Sequence, residues 1–167
     1  MTGVQTCALP IFHHPLAFYA AYFYRRSQKG GFDAALMTGG MDAVKANIAA
    51  IENNEDATNK DEDLLITLEV AYEFYLRGLE FLPVDLYKSH ATKFLIEDGK
   101  IRPPFVAMSG LGESAAWDLM EGRQGKTFLS IEEVQAACPK VSKTHLQMLK
   151  EAGAFGSLPD TSQVSLF

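Results

Sequence analysis

Residues 109–116 read Ser109-Gly110-Leu111-Gly112-Glu113-Ser114-Ala115-Ala116, and this octet decides how the rest of the chain is read. Two glycines one residue apart, ahead of a helix-compatible run, describe a tight turn that leads into a helix. The first amides of that helix have no intrahelical acceptor. The N–H groups of Gly112, Glu113 and Ser114 would then point outward at the positive end of the helix dipole, where a phosphate is favoured. Such a contact reads no base edge and carries no sequence preference. A glycine turn between two helices with no ligand at all is the plainer reading of the same residues.

A second turn of this kind lies at Cys138-Pro139-Lys140-Val141-Ser142-Lys143-Thr144. Lys140 and Lys143 add positive charge, and Ser142 and Thr144 add hydroxyl donors. Together the two stretches read as a tandem helix-hairpin-helix. It is expected to hold DNA phosphates through Gly110, Leu111, Gly112, Glu113 and Ser114 in the first hairpin. Lys140, Val141, Ser142, Lys143 and Thr144 would do so in the second. The second hairpin is imperfect: Pro139 or Lys140, depending on alignment, stands where the first glycine would, and proline has no amide to offer. It reads as a weaker grip or a purely structural turn.

Outward from the hairpins the chain is mainly helical. Pro15 to Arg26 is predicted helical with apolar residues on most faces, as for a helix whose partners lie elsewhere. Met41 to Glu52 carries an apolar stripe of Met41, Val44, Ile48 and Ile51, and Asp61 to Arg77 one of Leu64, Leu65, Leu68, Ala71, Tyr72 and Tyr75. Pro83, Pro103 and Pro104 exclude helix from residues 81–105. Within them, Asp98-Gly99 between 93–96 and 100–102 signals a small β-hairpin. Glu113 to Met120 is helical, Ser130 with Glu133 forms a capping box for a helix through Ala137, and Ser142 caps another to Ala152. The fold class is therefore mainly α with one small β-hairpin.

The 167 residues are 47% hydrophobic and 22% charged, with a net charge of -6. That composition supports a core and excludes a uniformly basic nucleic-acid coat. The acidic excess lies in residues 32–100, with 6 basic and 14 acidic side chains. Residues 101–167 are near neutral, with a local basic stretch of Lys140, Lys143 and Lys150. No apolar run reaches the ~18 residues of a membrane span. Two distant cysteines, Cys7 and Cys138, make no disulfide framework, which favours a reducing, cytoplasmic setting. No metal site is proposed for His13, His14, His90 or His145, which lack a ligand pattern. Asp61, Glu62 and Asp63 read as a solvated first helical turn. Arg25, Arg26 and Lys29 read equally as phosphate contacts or as a solvated helix end.

Both termini carry a distinct signal. Residues 1–11, MTGVQTCALPI, resemble a translated sequencing adaptor, so residues 1–12 are set aside from the fold. The genuine chain would then extend upstream. At the other end, Pro159-Asp160-Thr161-Ser162 reads as an exposed linker to Gln163-Val164-Ser165-Leu166-Phe167. That pentapeptide is similar to the bacterial sliding-clamp-binding motif: Gln163 offers hydrogen bonds, while Leu166 and Phe167 are apolar anchors.

Five blocks occur in one order: HPLAFYAAYF (14–23), LEFLPVDLYKSHATKFLIEDGKIRPPF (79–105), SGLGESAA (109–116), KVSKTHLQMLKEAGAFGSLP (140–159) and QVSLF (163–167). In this order they resemble the C-terminus of the PolC-type DNA polymerase III alpha subunits of Gram-positive bacteria. The resemblance implies three parts. Residues 13–100 would end the polymerase fingers, 101–156 would be a tandem helix-hairpin-helix duplex-binding domain, and 157–167 a flexible tail with the clamp-binding motif. For the intact protein it implies template-directed DNA synthesis with magnesium ions, held by palm aspartates that lie outside this chain. The implied partners are primer-template duplex DNA, the sliding clamp, and the upstream palm and fingers; no cofactor or membrane is implied for this part. Two readings compete: a non-catalytic helix-hairpin-helix module of repair or interaction type, and a helical packing domain with no DNA role.

Overall fold

The structure is a computed structural model and describes residues 11–162. Helix α1 (Pro15–Ser27) opens with Pro15 in its first turn, where a missing N–H costs nothing. Its buried face carries Tyr19 and Phe23. The Phe23 ring sits among those of Tyr19, Phe32, Phe74, Phe81 and Phe94, with centroids 5.1–6.3 Å apart. Edge and offset aromatic pairs contribute about 1 kcal/mol each beyond the area they bury. The expectation that α1 lacks its partners is thus corrected for this face. Ala17, Ala21 and Tyr24, on the other side, are exposed.

Helix α2 (Ala34–Met37) was not expected, since four residues are too few for a periodic signal. The Asp33 carboxylate nucleates it by accepting the Ala35 N–H at 3.0 Å. Helices α3 (Met41–Glu52) and α4 (Asn59–Leu76) pack together. α4 begins two residues before the expected Asp61 because Thr58 is its cap. Thr58 Oγ1 accepts the Asp61 N–H, and the Asp61 carboxylate accepts the Thr58 N–H at 2.8 Å. Those bonds to Thr58 hold the Asp61 carboxyl below its usual range. Arg26, one of the three cations left open by the sequence, belongs to the packing. Its guanidinium donates to Thr67 Oγ1 at 2.8 Å and to the Asp63 carbonyl at 2.6 Å.

The proline-rich segment forms a spine between the two helical groups. Strands β1 (Leu95–Glu97) and β2 (Lys100–Arg102) pair antiparallel with Ile96 opposite Ile101. Asp98 and Gly99, both at positive φ, make the turn. Glu80 to Leu82 runs beside β2: Ile101 N–H donates to the Glu80 carbonyl, and Leu82 N–H to that of Ile101. Arg102 is buried and forks onto the Glu97 carboxylate at 2.7–3.0 Å while donating to the Pro83 carbonyl. The expected division between residues 100 and 101 falls inside β2, and buried residues on both sides form one core cluster. The two parts therefore share a core.

A 3-10 turn (Phe105–Ala107) leads to α5 (Glu113–Gly122), followed by α6 (Ile131–Ala137) and α7 (Lys143–Glu151). The expected capping box on α6 is half formed. Ser130 Oγ accepts the Glu133 N–H, but the Glu133 carboxylate takes the Leu129 N–H instead of that of Ser130. Residues 159 and 160, expected in a flexible tail, are held to the fold. The carbonyls of Pro159 and Asp160 accept the N–H groups of Ile131 and Glu132, and the Asp160 carboxylate pairs with Lys150 Nζ at 2.6 Å. Among the described residues no helix is long and apolar enough to cross a membrane.

Candidate nucleic-acid interface

The first hairpin is built on a buried peg. The Leu111 side chain is in the core, and its N–H closes the turn on the Met108 carbonyl at 3.1 Å. Gly110 has φ +85°, a left-handed conformation that favours glycine. Gly112 is the N-cap of α5, at φ −72° and ψ 163°, with no side chain capping it. That backbone suits any residue, and a Cβ there would meet nothing within 4 Å. The fold therefore requires glycine at 110 but not at 112. No hydrogen bond among the described residues uses the N–H groups of Gly112, Glu113 or Ser114, and all three residues are exposed.

The second hairpin repeats this backbone. Val141 is the buried peg, and its N–H closes on the Cys138 carbonyl at 3.1 Å. Ser142 is the N-cap, at φ −76° and ψ 164°, nearly the angles of Gly112. Matching Val141 to Leu111 places Lys140 at the position of Gly110. Asp98 alone among the described non-glycine residues has positive φ, so the second turn needs no glycine at Lys140.

The chemistry of the two hairpins differs. In the second, the Lys140 N–H donates to the Asp118 carboxylate at 2.7 Å, and the Ser142 N–H to His145 Nδ1 at 3.3 Å. The amides of Lys143 and Thr144 are left outward, beside the exposed side chains of Lys140 and Lys143. Leu111 and Val141 were expected among the phosphate-binding residues. Their side chains are buried and their amides are spent inside the turns, so each is corrected to a residue that shapes its hairpin. The amides of Lys140 and Ser142 are likewise committed, which leaves these two residues an ammonium and a hydroxyl to offer. Lys150, the third cation of the basic stretch, is held by Asp160. Glu113 puts a carboxylate beside the first amide group, and Trp117 Nε1 donates to it at 3.3 Å.

The two hairpins are held close. A Cβ on Gly122, at the end of α5, would lie 2.5 Å from Cys138 Sγ and 3.0 Å from the Ala137 carbonyl oxygen. Cys138 is buried, and burial pushes its thiol up to about 11, so it stays protonated and packs as an apolar group. The sequence contained a signal for one link that was not read: Ser142 with His145 at the third helical position has the spacing of a capping box, with imidazole in place of carboxylate. Residues 163–167, expected to bind a clamp, lie outside the described residues. Among the described residues, no three His, Cys, Asp or Glu side chains are grouped as a metal site.

Two short turns with buried pegs, each opening a helix and packed side by side, define a helix-hairpin-helix protein. The chain belongs to the helix-hairpin-helix family, whose model, described as a helix-hairpin-helix motif, matches residues 78–164. It is similar to proteins named DNA polymerase III PolC-type. The one from Streptococcus suis is 44% identical over 158 residues, and the one from Streptococcus sanguinis 42% over 158. The one from Thermotoga maritima is 41% identical over 157 residues. Each match covers 93% of this chain and 11% of the relative, so the chain spans about a ninth of the length of these curated relatives.

Proposed function

We propose that this chain is the duplex-gripping part of a bacterial replicative DNA polymerase. The observation that carries the reading is the exposed, unused amide group of Gly112, Glu113 and Ser114, at a position where the fold has no need of glycine. A residue without a side chain, beside unpaired N–H groups at a helix start, suits close approach by a phosphate oxygen. The similarity to PolC-type polymerases supplies the setting. The intact protein would carry out template-directed DNA synthesis, with its magnesium ions held by residues outside this chain. Binding of duplex by this part would be independent of sequence, because it reaches the backbone alone. Gln163, Val164, Ser165, Leu166 and Phe167 would tether the polymerase to the sliding clamp, in a cytoplasmic setting.

Two titrations of the full chain test this. Fluorescence anisotropy with a labelled primer-template duplex is expected to give saturable binding that is indifferent to sequence. Absence of binding at low salt would overturn the duplex reading. Binding to a Gram-positive sliding clamp is expected with the full chain and lost on deletion of residues 163–167. Equal binding by both forms would overturn the tether. Duplex binding with no clamp binding would favour the repair-type module.

A further inference from the structure

The imidazole of His145 touches both hairpins. Nδ1 accepts the Ser142 N–H at 3.3 Å within the second hairpin, and Nε2 lies 3.0 Å from the carbonyl oxygen of Gly110 in the first. These contacts determine the tautomer. Nδ1 faces an N–H and must be the acceptor, so the proton is on Nε2, which donates to Gly110. Among the described residues this is the one side-chain hydrogen bond between the Ser109–Gly112 turn and the second hairpin. The bond from the Lys140 N–H to Asp118 joins that hairpin to the body of α5 instead.

We infer that His145 is a positioning residue which sets the register between the two phosphate-facing helix starts. The inference rests on the duplex-grip reading above. A duplex presents its backbone phosphates at set separations, so two weak grips reinforce one another only when their spacing matches. Gly110 stands directly before the peg Leu111 and two residues from the free amide of Gly112. Ser142 stands directly before Lys143 and Thr144. A single rigid ring bonded at both places couples the two turns through two short contacts. Its loss would let the first turn shift against the second while each kept its own peg and its own closing bond. The expected consequence is a loss of simultaneous engagement without loss of the fold.

Two substitutions separate the halves of the ring. In His145→Asn, the side-chain oxygen can take the place of Nδ1 and keep the cap on Ser142, but the side chain ends short of Gly110. In His145→Gln, the amide nitrogen reaches the position of Nε2 and can still donate to Gly110. Duplex affinity by anisotropy is expected to fall roughly fivefold in His145→Asn, because the two grips no longer engage at a fixed spacing, and to recover most of that in His145→Gln. The thermal midpoint, followed by circular dichroism, should fall by only about 2–4 °C in His145→Asn, the scale of one hydrogen bond, and both variants should unfold cooperatively. Nitrogen chemical shifts of the parent imidazole at neutral pH should show Nε2 protonated and Nδ1 unprotonated. Parent-like affinity in His145→Asn, equal losses in both variants, or the opposite tautomer would each overturn the inference. Failure of the parent chain to bind duplex would instead overturn the duplex reading, a separate outcome.

Discussion

Gly110 and Gly112 stand one residue apart and do different work. Gly110 lies at φ +85°, where an L side chain is strained by about 1–2 kcal/mol. Gly112 lies in an ordinary extended conformation with open space around its Cα. The two substitutions are therefore expected to act for different reasons. Gly110→Ala should lower stability to urea by about 1 kcal/mol. Gly112→Val meets no clash or backbone strain and should cost at most about 1 kcal/mol, the loss of a favoured N-cap residue. It should nevertheless weaken duplex binding about tenfold by shielding the amides, a loss on the scale of a hydrogen bond to a charged group. Urea melts and anisotropy on the same samples separate the two effects. Parent-like binding by Gly112→Val would remove that amide from the site. Trp117, the single tryptophan, lies one helical turn from Glu113 and is 37% exposed, so its emission offers a label-free readout.

At the scale of elements, the spine around β1 and β2 holds one nearly buried ion pair, Arg102 with Glu97, beside the exposed pair of Lys100 with Glu80. The Arg102 side chain is only 5% exposed and that of Glu97 29%, and the bonds from Arg102 hold the Glu97 carboxyl below its usual range. A carboxyl that is lowered on folding stabilises the fold above its unfolded pKa. That contribution is lost as pH falls through the folded value. Glu97→Gln should thus cost about 2 kcal/mol at pH 7, the scale of hydrogen bonds to a charged partner. Parent and variant should converge in strong acid, where Glu97 is protonated in both folded and unfolded chains. Urea unfolding at both pH values checks this, and a constant gap would mean that the pair contributes no linkage. The contact between α5 and the second hairpin gives another prediction. Gly122→Ala pushes a methyl into Cys138 Sγ and the Ala137 carbonyl, an overpacking expected to cost about 1–3 kcal/mol. A thermal melt of that variant at or above the parent midpoint would show that α5 can yield without cost.

The whole molecule carries a net charge of -6, which opposes its approach to DNA at long range. Duplex binding should therefore be weakly salt-dependent, because amides supply the first hairpin and few lysines the second. The slope of log K against log salt is expected to be about −2 to −4. Lys140→Ala and Lys143→Ala should each reduce its magnitude by about 0.9, whereas Gly112→Val should lower affinity at all salt concentrations with nearly the same slope. An unchanged slope in both lysine variants would place the second hairpin away from phosphate.

Much of this architecture was legible in local sequence. The caps at Ser130 and Ser142, the apolar stripes of α3 and α4, the Asp98-Gly99 turn and both hairpin turns depend on neighbours within about four residues, and periodicity and turn chemistry report such neighbours directly. What required the tertiary structure was every property set by residues far apart in the chain. Arg26 is a packing residue because Asp63 and Thr67 face it. The division expected between residues 100 and 101 disappears because Phe23, Phe74 and Phe81 share one core with Ile101 and Phe105. In the second hairpin the amides of Lys140 and Ser142 are engaged by Asp118 and His145, and the chain is fastened as far as Asp160 by α6 and Lys150. An amide's availability depends on which acceptor the folded chain brings to it. The sequence by itself determined where the two turns lie and which residues form them. The tertiary structure decided which of their donors remain free.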